Sequence, residues 1–173
     1  RGRTVVGTYP GAEFFVAEPG TAWDWGTNPR HLFSLGRGDT GQDRPLAMAA
    51  AGSLVAAGTV PNYGELGGAL TLFDPETGAH TVHRNVVADQ SVTALAYRDG
   101  FVYGGTSIHG GLSSTPTATE AELFVWDVAQ DELVTSSVVA PGAEAIHALT
   151  VDPRGRVWGL AGDGTIFEYD PVN

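Results

Sequence analysis

The 173-residue chain contains no cysteine and a single methionine. Without thiols there is no disulfide framework and no thiolate metal centre, and the redox compartment leaves no trace in the sequence. Basic residues are scarce too: 9 Lys plus Arg stand against 20 Asp plus Glu, a formal net charge of -11. A field of that sign repels polyanions and argues against nucleic acid as a partner. No apolar run approaches the roughly 18 residues of a membrane span, so none is expected. The first residues, Arg1 and Arg3 ahead of a strand-like run, lack the apolar core of a secretory leader. Localisation stays open, leaning to extracellular or cell envelope. Long uninterrupted helical stretches are missing as well, because 24 Gly and 10 Pro punctuate every candidate.

What is present is a repeat. A Gly-bearing motif follows four short apolar runs: "VVGTYPG" with Gly7, "LVAAGTVPNYG" with Gly58, "FVYGGTSIHGG" with Gly105 and "RVWGLAGDG" with Gly159, at steps of 51, 47 and 54 residues. An aromatic-rich strand running into an acid or a turn follows each: "FFVAEPG", "LTLFDPETG", "LFVWDVAQD" and "IFEYDPVN". Three of the Gly motifs are preceded by a further strand ending in turn chemistry, "PLAMAAAGS", "VTALAYRDG" and "IHALTVDPRG". Three of the acid turns are followed by another, around "RHLFSLG", "HTVHRNVV" and "ELVTSSVV". The unit is thus four short strands in about 40 to 50 residues, the content of a propeller blade. We name its strands A to D from inside outward. "AMAAAG" has a helical composition, but its place in the repeat makes it an inner strand.

The repeat "IHALTVDPRGRVWGLAGDGTIFEYDP" resembles the bacterial β-propeller repeats grouped as YVTN-like, WD-like or quinoprotein-like. That resemblance implies an all-β propeller and leaves function open, since such propellers serve as scaffolds, sensors, lyases and dehydrogenases. Trp126 and Asp127 form a WD dipeptide without the Gly-His that should precede it, and the sequence around "DPETG" lacks the Trp-bearing quinoprotein pattern, so no quinone or other cofactor is expected. The expected blades are 1–36, 44–87, 91–139 and 145–173, a single propeller segment. Strand A is missing from the first and strand D from the last, giving about three and a half blades. Membership of a longer propeller is the favoured reading; self-association to complete a ring is the other.

Propeller ligands gather on the face made by the B-to-C and D-to-A loops. The B-to-C loops are 8–13, 59–69, 106–121 and 162–164; the D-to-A loops are 36–45, 87–91 and 141–145. They would ring one mouth with Tyr9, Asp43, Arg44, Tyr63, Gln90, His109 and Glu144. Aromatics that stack on sugar faces, with Arg and amide groups for hydroxyls or carboxylates, suit a carbohydrate. Each residue also has a plainer use: Tyr9 and Tyr63 as covers for their turns, Asp43 and Arg44 as pins for a loop, His109 as a solvated loop residue. Trp23 and Trp25, at i and i+2 on one side of an extended segment, suit a seam or a stacked ligand.

No Gly-x-Ser-x-Gly elbow and no Gly-x-x-x-x-Gly-Lys phosphate loop is present. His80 and His83 fall on opposite faces of an outer strand, His31 has no neighbour, and His147 on an inner strand reads as structural. "GRGDTGQD" and "AGDGT" look like calcium loops but lack EF-hand spacing, so no metal is expected. Two functions remain. One is a binding module for a small molecule, glycan or protein partner, carbohydrate first. The other is a propeller enzyme such as a uronic-acid lyase, in which the resemblance to propeller lyases casts His109 or Tyr63 as proton-transfer group and Arg44 as holder of the carboxylate. Enzyme or not stays open at this point.

Overall fold

Val, Thr, Phe, Tyr and Trp in short runs, separated by Gly and Asp turns, dictate strands. The computed structural model describes residues 2–36 and 40–171, and among these it is all β. Sheet I holds β1 (Thr4–Thr8), β2 (Glu13–Ala17) and β3 (Arg30–Ser34). Sheet II holds β4 (Gln42–Ala51), β5 (Leu54–Pro61), β6 (Ala69–Phe73) and β7 (His80–Arg84). Sheet III holds β8 (Ser91–Arg98), β9 (Phe101–Ser107), β10 (Leu123–Asp127) and β11 (Glu132–Ser137). Sheet IV holds β12 (Ile146–Val151), β13 (Val157–Ala161) and β14 (Ile166–Tyr169). Every pairing is antiparallel between sequence neighbours, so the expected propeller-like class holds, with three, four, four and three strands. The Ala-rich run is the inner strand β4, paired from Ala47 to Ala51 with β5. No helix among the described residues is long and apolar enough to cross a membrane.

Successive sheets pack through three separate cores. Phe14, Phe33 and Phe73 fill the seam between sheets I and II; Leu70, Val92, Phe124 and Trp126 that between II and III; Leu123, Ile146, Val157 and Phe167 that between III and IV. Burying each such side chain contributes about 1.5–3 kcal/mol. The strand register shows why the repeat keeps glycine. Pro45, Val92 and Ile146 occupy one position on the three inner strands, opposite Thr59, Thr106 and Ala161. Each leans on the glycine of the preceding sheet: a Cβ on Gly7 would lie 3.0 Å from Pro45, one on Gly58 2.6 Å from Val92 Cγ1, and one on Gly105 2.5 Å from Ile146 Cγ2. Inner strands therefore approach too closely for any side chain there.

On sheet IV the register departs from the sequence alignment by one residue. Gly159 pairs with Phe167 as Gly104 pairs with Phe124, whereas Leu160 occupies the place of Gly105. Among the described residues no inner strand crowds that position, and Leu160 is 40% exposed beside Ile166 at 70%. The outer side of sheet I is similarly apolar: Trp25 packs on Phe15 with ring centroids 5.3 Å apart, on the side facing away from Phe14 and the core. The two histidines of β7 serve opposite seams, His80 stacked on Phe33 at 4.0 Å and His83 against Trp126 at 4.3 Å.

One carboxylate organises the turn between β12 and β13. Asp152 Oδ1 accepts the backbone N–H groups of Arg154 at 2.8 Å and Arg156 at 3.0 Å, while Oδ2 accepts the Trp158 indole N–H at 3.3 Å. Hydrogen bonding from the Arg156 backbone, foremost, holds this carboxyl down at about 2. An unfolded Asp titrates near ~3.9, so the turn's contribution is complete above about pH 4 and is lost as the pH falls through about 2. An NMR titration of the Asp152 carboxyl should give a midpoint of about 2. An ordinary midpoint, near ~3.9, would mean that the turn bonds are not made in solution.

Candidate functional site

The mouth is assembled from residues that depart from the repeat. At the start of each inner strand the repeat uses a buried glutamine. Gln42 and Gln90 are both within 2% of full burial, and their Oε1 atoms accept the hydroxyls of Thr59 at 2.7 Å and Thr106 at 2.5 Å. Each threonine hydroxyl in turn accepts the backbone N–H that opens the next strand, of Ala69 or Glu122. Sheet IV breaks both halves of this pair together. Ala161 replaces the threonine, Glu144 stands where the glutamine would, and its carboxylate emerges to the surface.

Arg44 is a second departure. Its repeat counterparts, opposite Ser107 on β9 and beside Ile146 on β12, are the small residues Ser91 and Ala145. The Arg44 guanidinium lies 4.9 Å from the centre of the Tyr9 ring and 5.4 Å from that of Tyr63, and its Nη2 donates to Tyr63 Oη at 3.2 Å. The two phenol oxygens are 2.8 Å apart. Their hydrogen bond raises the Tyr9 phenol and lowers that of Tyr63, on which Arg44 acts in the same direction. At the surface each cation–π contact contributes about 0.5–1 kcal/mol, enough to hold the guanidinium in place without burying it.

His109 faces Glu144, with Nε2 to Oε2 at 3.1 Å and both side chains more than half exposed. The backbone beneath is fixed, since the His109 carbonyl accepts Ser91 Oγ at 2.7 Å and its N–H donates to Ser107 Oγ at 3.2 Å. The loops of sheets II and III are also tied to each other, Gly64 N–H to the Leu112 carbonyl and Gly111 N–H to the Glu65 carbonyl. Two cavities open on this face. One of about 410 Å³ is lined by Arg44, Leu46, Val60, Thr93, His109 and His147; the other, of about 380 Å³, by His109, Glu144, His147, Gly162 and Asp163.

Five of the seven residues singled out in the sequence fall into two clusters, Tyr9 and Tyr63 on Arg44 and His109 with Glu144; of these, Arg44, His109 and Glu144 line the cavities on this face. Asp43 and Gln90 lie beneath it. Asp43 is 4% exposed and straps the first loop down, its Oδ1 accepting Gly11 N–H at 2.9 Å and its carbonyl accepting Ala12 N–H. Gln90 spends its amide on Thr106 and on the Glu120 carbonyl. His147 joins the cavity walls, in the place that Leu46 and Thr93 occupy on the other inner strands. Aligning those strands one residue past Pro45, Val92 and Ile146 would have found it. Asp163 binds Thr165 with both oxygens, which explains the calcium-like "AGDGT" as a turn. In "GRGDTGQD", residues 37–39 lie outside the described residues. Among the described residues no three His, Asp or Glu side chains stand together to hold a metal ion.

No family model matches the chain, and no curated protein matches it. Solved structures do. The quinohemoprotein alcohol dehydrogenase ADHIIG of Pseudomonas putida HK5 superposes with a TM-score of 0.65 at 16% identity over 98% of this chain. This chain covers 31% of that one, about a third of its length. At such identity the likeness is one of fold: a propeller enzyme provides the same arrangement of antiparallel sheets.

Proposed function

We propose that this face binds a polar, ring-shaped ligand, a carbohydrate first, and that the chain is a binding module. The observation behind this is convergence: Arg44 and Glu144, which break the repeat, and the loop residue His109 line two adjoining cavities, and the loop residues Tyr9 and Tyr63 pack on Arg44 behind them. Their chemistry fits sugars, with phenols and apolar patches for ring faces and an imidazole, a carboxylate and a guanidinium for hydroxyls. Binding of an immobilised glycan panel by the purified protein tests it. Tyr63→Ala and His109→Ala should each weaken capture of a retained glycan by about 1–3 kcal/mol, or roughly tenfold and more, with unfolding midpoints unchanged. Retention unaltered in both variants would place the ligand elsewhere.

A second reading has one observation in its favour. Hydrogen bonding from Tyr9, with Arg44 beside it, lowers the Tyr63 phenol and so favours the phenolate, the form that a general base needs. In a uronic-acid lyase, Tyr63 or His109 would take the proton from the carbon next to the carboxylate; the electron pair left behind becomes the double bond as the neighbouring glycosidic C–O bond breaks, and the departing oxygen takes a proton from water. Incubation with polyuronides should then raise the absorbance of unsaturated uronate, and either Tyr63→Phe or His109→Ala, whichever removes the base, should abolish the rise. A flat trace across polyuronides of differing linkage leaves the binding role alone.

A further inference from the structure

We infer that the ligand is an acidic oligosaccharide of two rings or more, lying along the mouth with a carboxylate at Arg44. This rests on the carbohydrate reading above and adds a length, a sign of charge and a direction.

Length follows from how the cavities join. They share the walls His109, Ala145 and His147, but Arg44 lines only one and Asp163 only the other. Each is by itself within the roughly 300–1,000 Å³ of a small-ligand site. A molecule that meets the distinctive group at both ends must cross the His109 and His147 divide, and a single sugar ring held at one end leaves the other cavity unused.

The sign of charge follows from which groups are already satisfied. Of the acids lining the cavities, Glu144 is paired with His109, and Asp163 has both oxygens on Thr165. Arg44 differs. Its nearest acid, Asp43, brings Oδ2 to 3.9 Å from Nε while Oδ1 accepts Gly11 N–H, and Nη2 donates to the Tyr63 phenol. The cation at this end of the mouth therefore meets a carboxylate only at the far limit of an ion pair, on its Nε side, and lines the cavity with Nη donors to spare. A guanidinium presents its N–H groups as a planar fork that matches a carboxylate. Tyr9 and Tyr63 fix that fork beforehand, so little side-chain freedom is lost when an anion docks. Between the two ends the walls include Leu46, Val60 and Ala145, apolar surface for the carbon faces of sugar rings.

Direction follows from the difference between the ends. The acidic unit belongs at Arg44, and the Glu144, His147 and Asp163 end suits a unit that offers hydroxyl donors. The test uses an array of glycans in matched pairs, each acidic member bearing uronic acid and its partner the corresponding neutral sugar in the same linkage, from one to four units. Wild-type protein should prefer acidic members by about ten- to a hundredfold. Arg44→Gln should bring that ratio to about one, with acidic members losing more than neutral ones, and Arg44→Lys should keep part of it, since charge survives but the fork does not. Thermal unfolding of both variants checks folding, and the Lys variant carries the comparison if the Gln variant is unstable. Equal capture of neutral and acidic partners overturns the acidic assignment. Monosaccharides bound as tightly as tetrasaccharides overturn the extended one. No glycan retained by wild-type protein is a different result, and it removes the carbohydrate reading itself.

Discussion

Gly105→Ala is expected to destabilise the protein by about 1–3 kcal/mol, measured as a lowered urea midpoint with an unchanged slope. The new Cβ would lie 2.5 Å from Ile146 Cγ2 and 3.3 Å from Ala94 Cβ, in a seam where Ile146 is fully buried. Neither neighbour has room to yield, because Ile146 belongs to an inner strand fixed by pairing with β13. Truncating the opposing residue, Ile146→Ala, costs about 2–5 kcal/mol by itself through the cavity it leaves. Together the two should cost less than their sum by at least ~0.5 kcal/mol, since the Ala variant relieves the very contact that the first change creates. Strict additivity would mean that Gly105 and Ile146 do not press on each other in solution. Leu160 is the control. It holds the same repeat position on sheet IV, 40% exposed with no inner strand against it among the described residues, and Leu160→Ala should cost well under the seam change, about 1 kcal/mol or less.

That contrast also shows what could be read from the chain. Strand count, sheet order and the strand nature of the Ala-rich run were legible because they depend on local chemistry: alternation along two-residue periods, and Gly or Asp-Gly at the turns. The hairpin between β8 and β9 is one case, with Asp99 and Gly100 both at positive φ, 50° and 91°. Register was less legible. Gly159 looked like the counterpart of Gly105 because it is the glycine of its motif, yet what keeps Gly105 a glycine is the Ile146 side chain of another sheet. A motif does not carry that information. The site divides along the same line. The loops that reach the mouth follow from strand order, and so Tyr9, Tyr63, His109 and Glu144 could be named. Which way each side chain turns depends on partners across a seam. The meeting of Tyr9, Tyr63 and Arg44 joins residues from sheets I and II, and the inward turn of Gln90 depends on a hydroxyl 16 positions away. One clue was present all the same. Gln42 and Gln90 both precede a Gly-Thr strand, but the extra residue Asp43, which the pairing accommodates as an irregularity, hides the match in a simple alignment.

The buried Gln-Thr pair yields the other large effect. Gln90→Ala removes an amide that is 2% exposed, taking one of the two acceptors from the Thr106 hydroxyl and the donor from the Glu120 carbonyl, and this should cost about 1–3 kcal/mol. Thr106→Ala should cost a similar amount, about 1–3 kcal/mol, because the same hydroxyl also accepts Glu122 N–H and donates to its carbonyl. The double variant should be milder than the sum, by about 0.5–3 kcal/mol, since it leaves fewer orphaned groups than the two single variants do between them: neither the Thr106 hydroxyl nor the Gln90 Oε1 remains to be orphaned. Sheet IV already contains that double change. Ala161 occupies the threonine position and Glu144 the glutamine position, and the freed acid meets His109 instead of the interior. Glycan capture supplies the decisive comparison. A residue that only ties β8 to β9 changes stability and leaves affinity alone, so Gln90→Ala assayed well below its melting temperature should bind as wild type does. A loss of binding matching that of Tyr63→Ala, at full folding, would return Gln90 to the mouth. Unchanged binding would mean that the repeat uses this position for structure in sheets II and III, and that its abandonment in sheet IV is what made room for Glu144 at the surface.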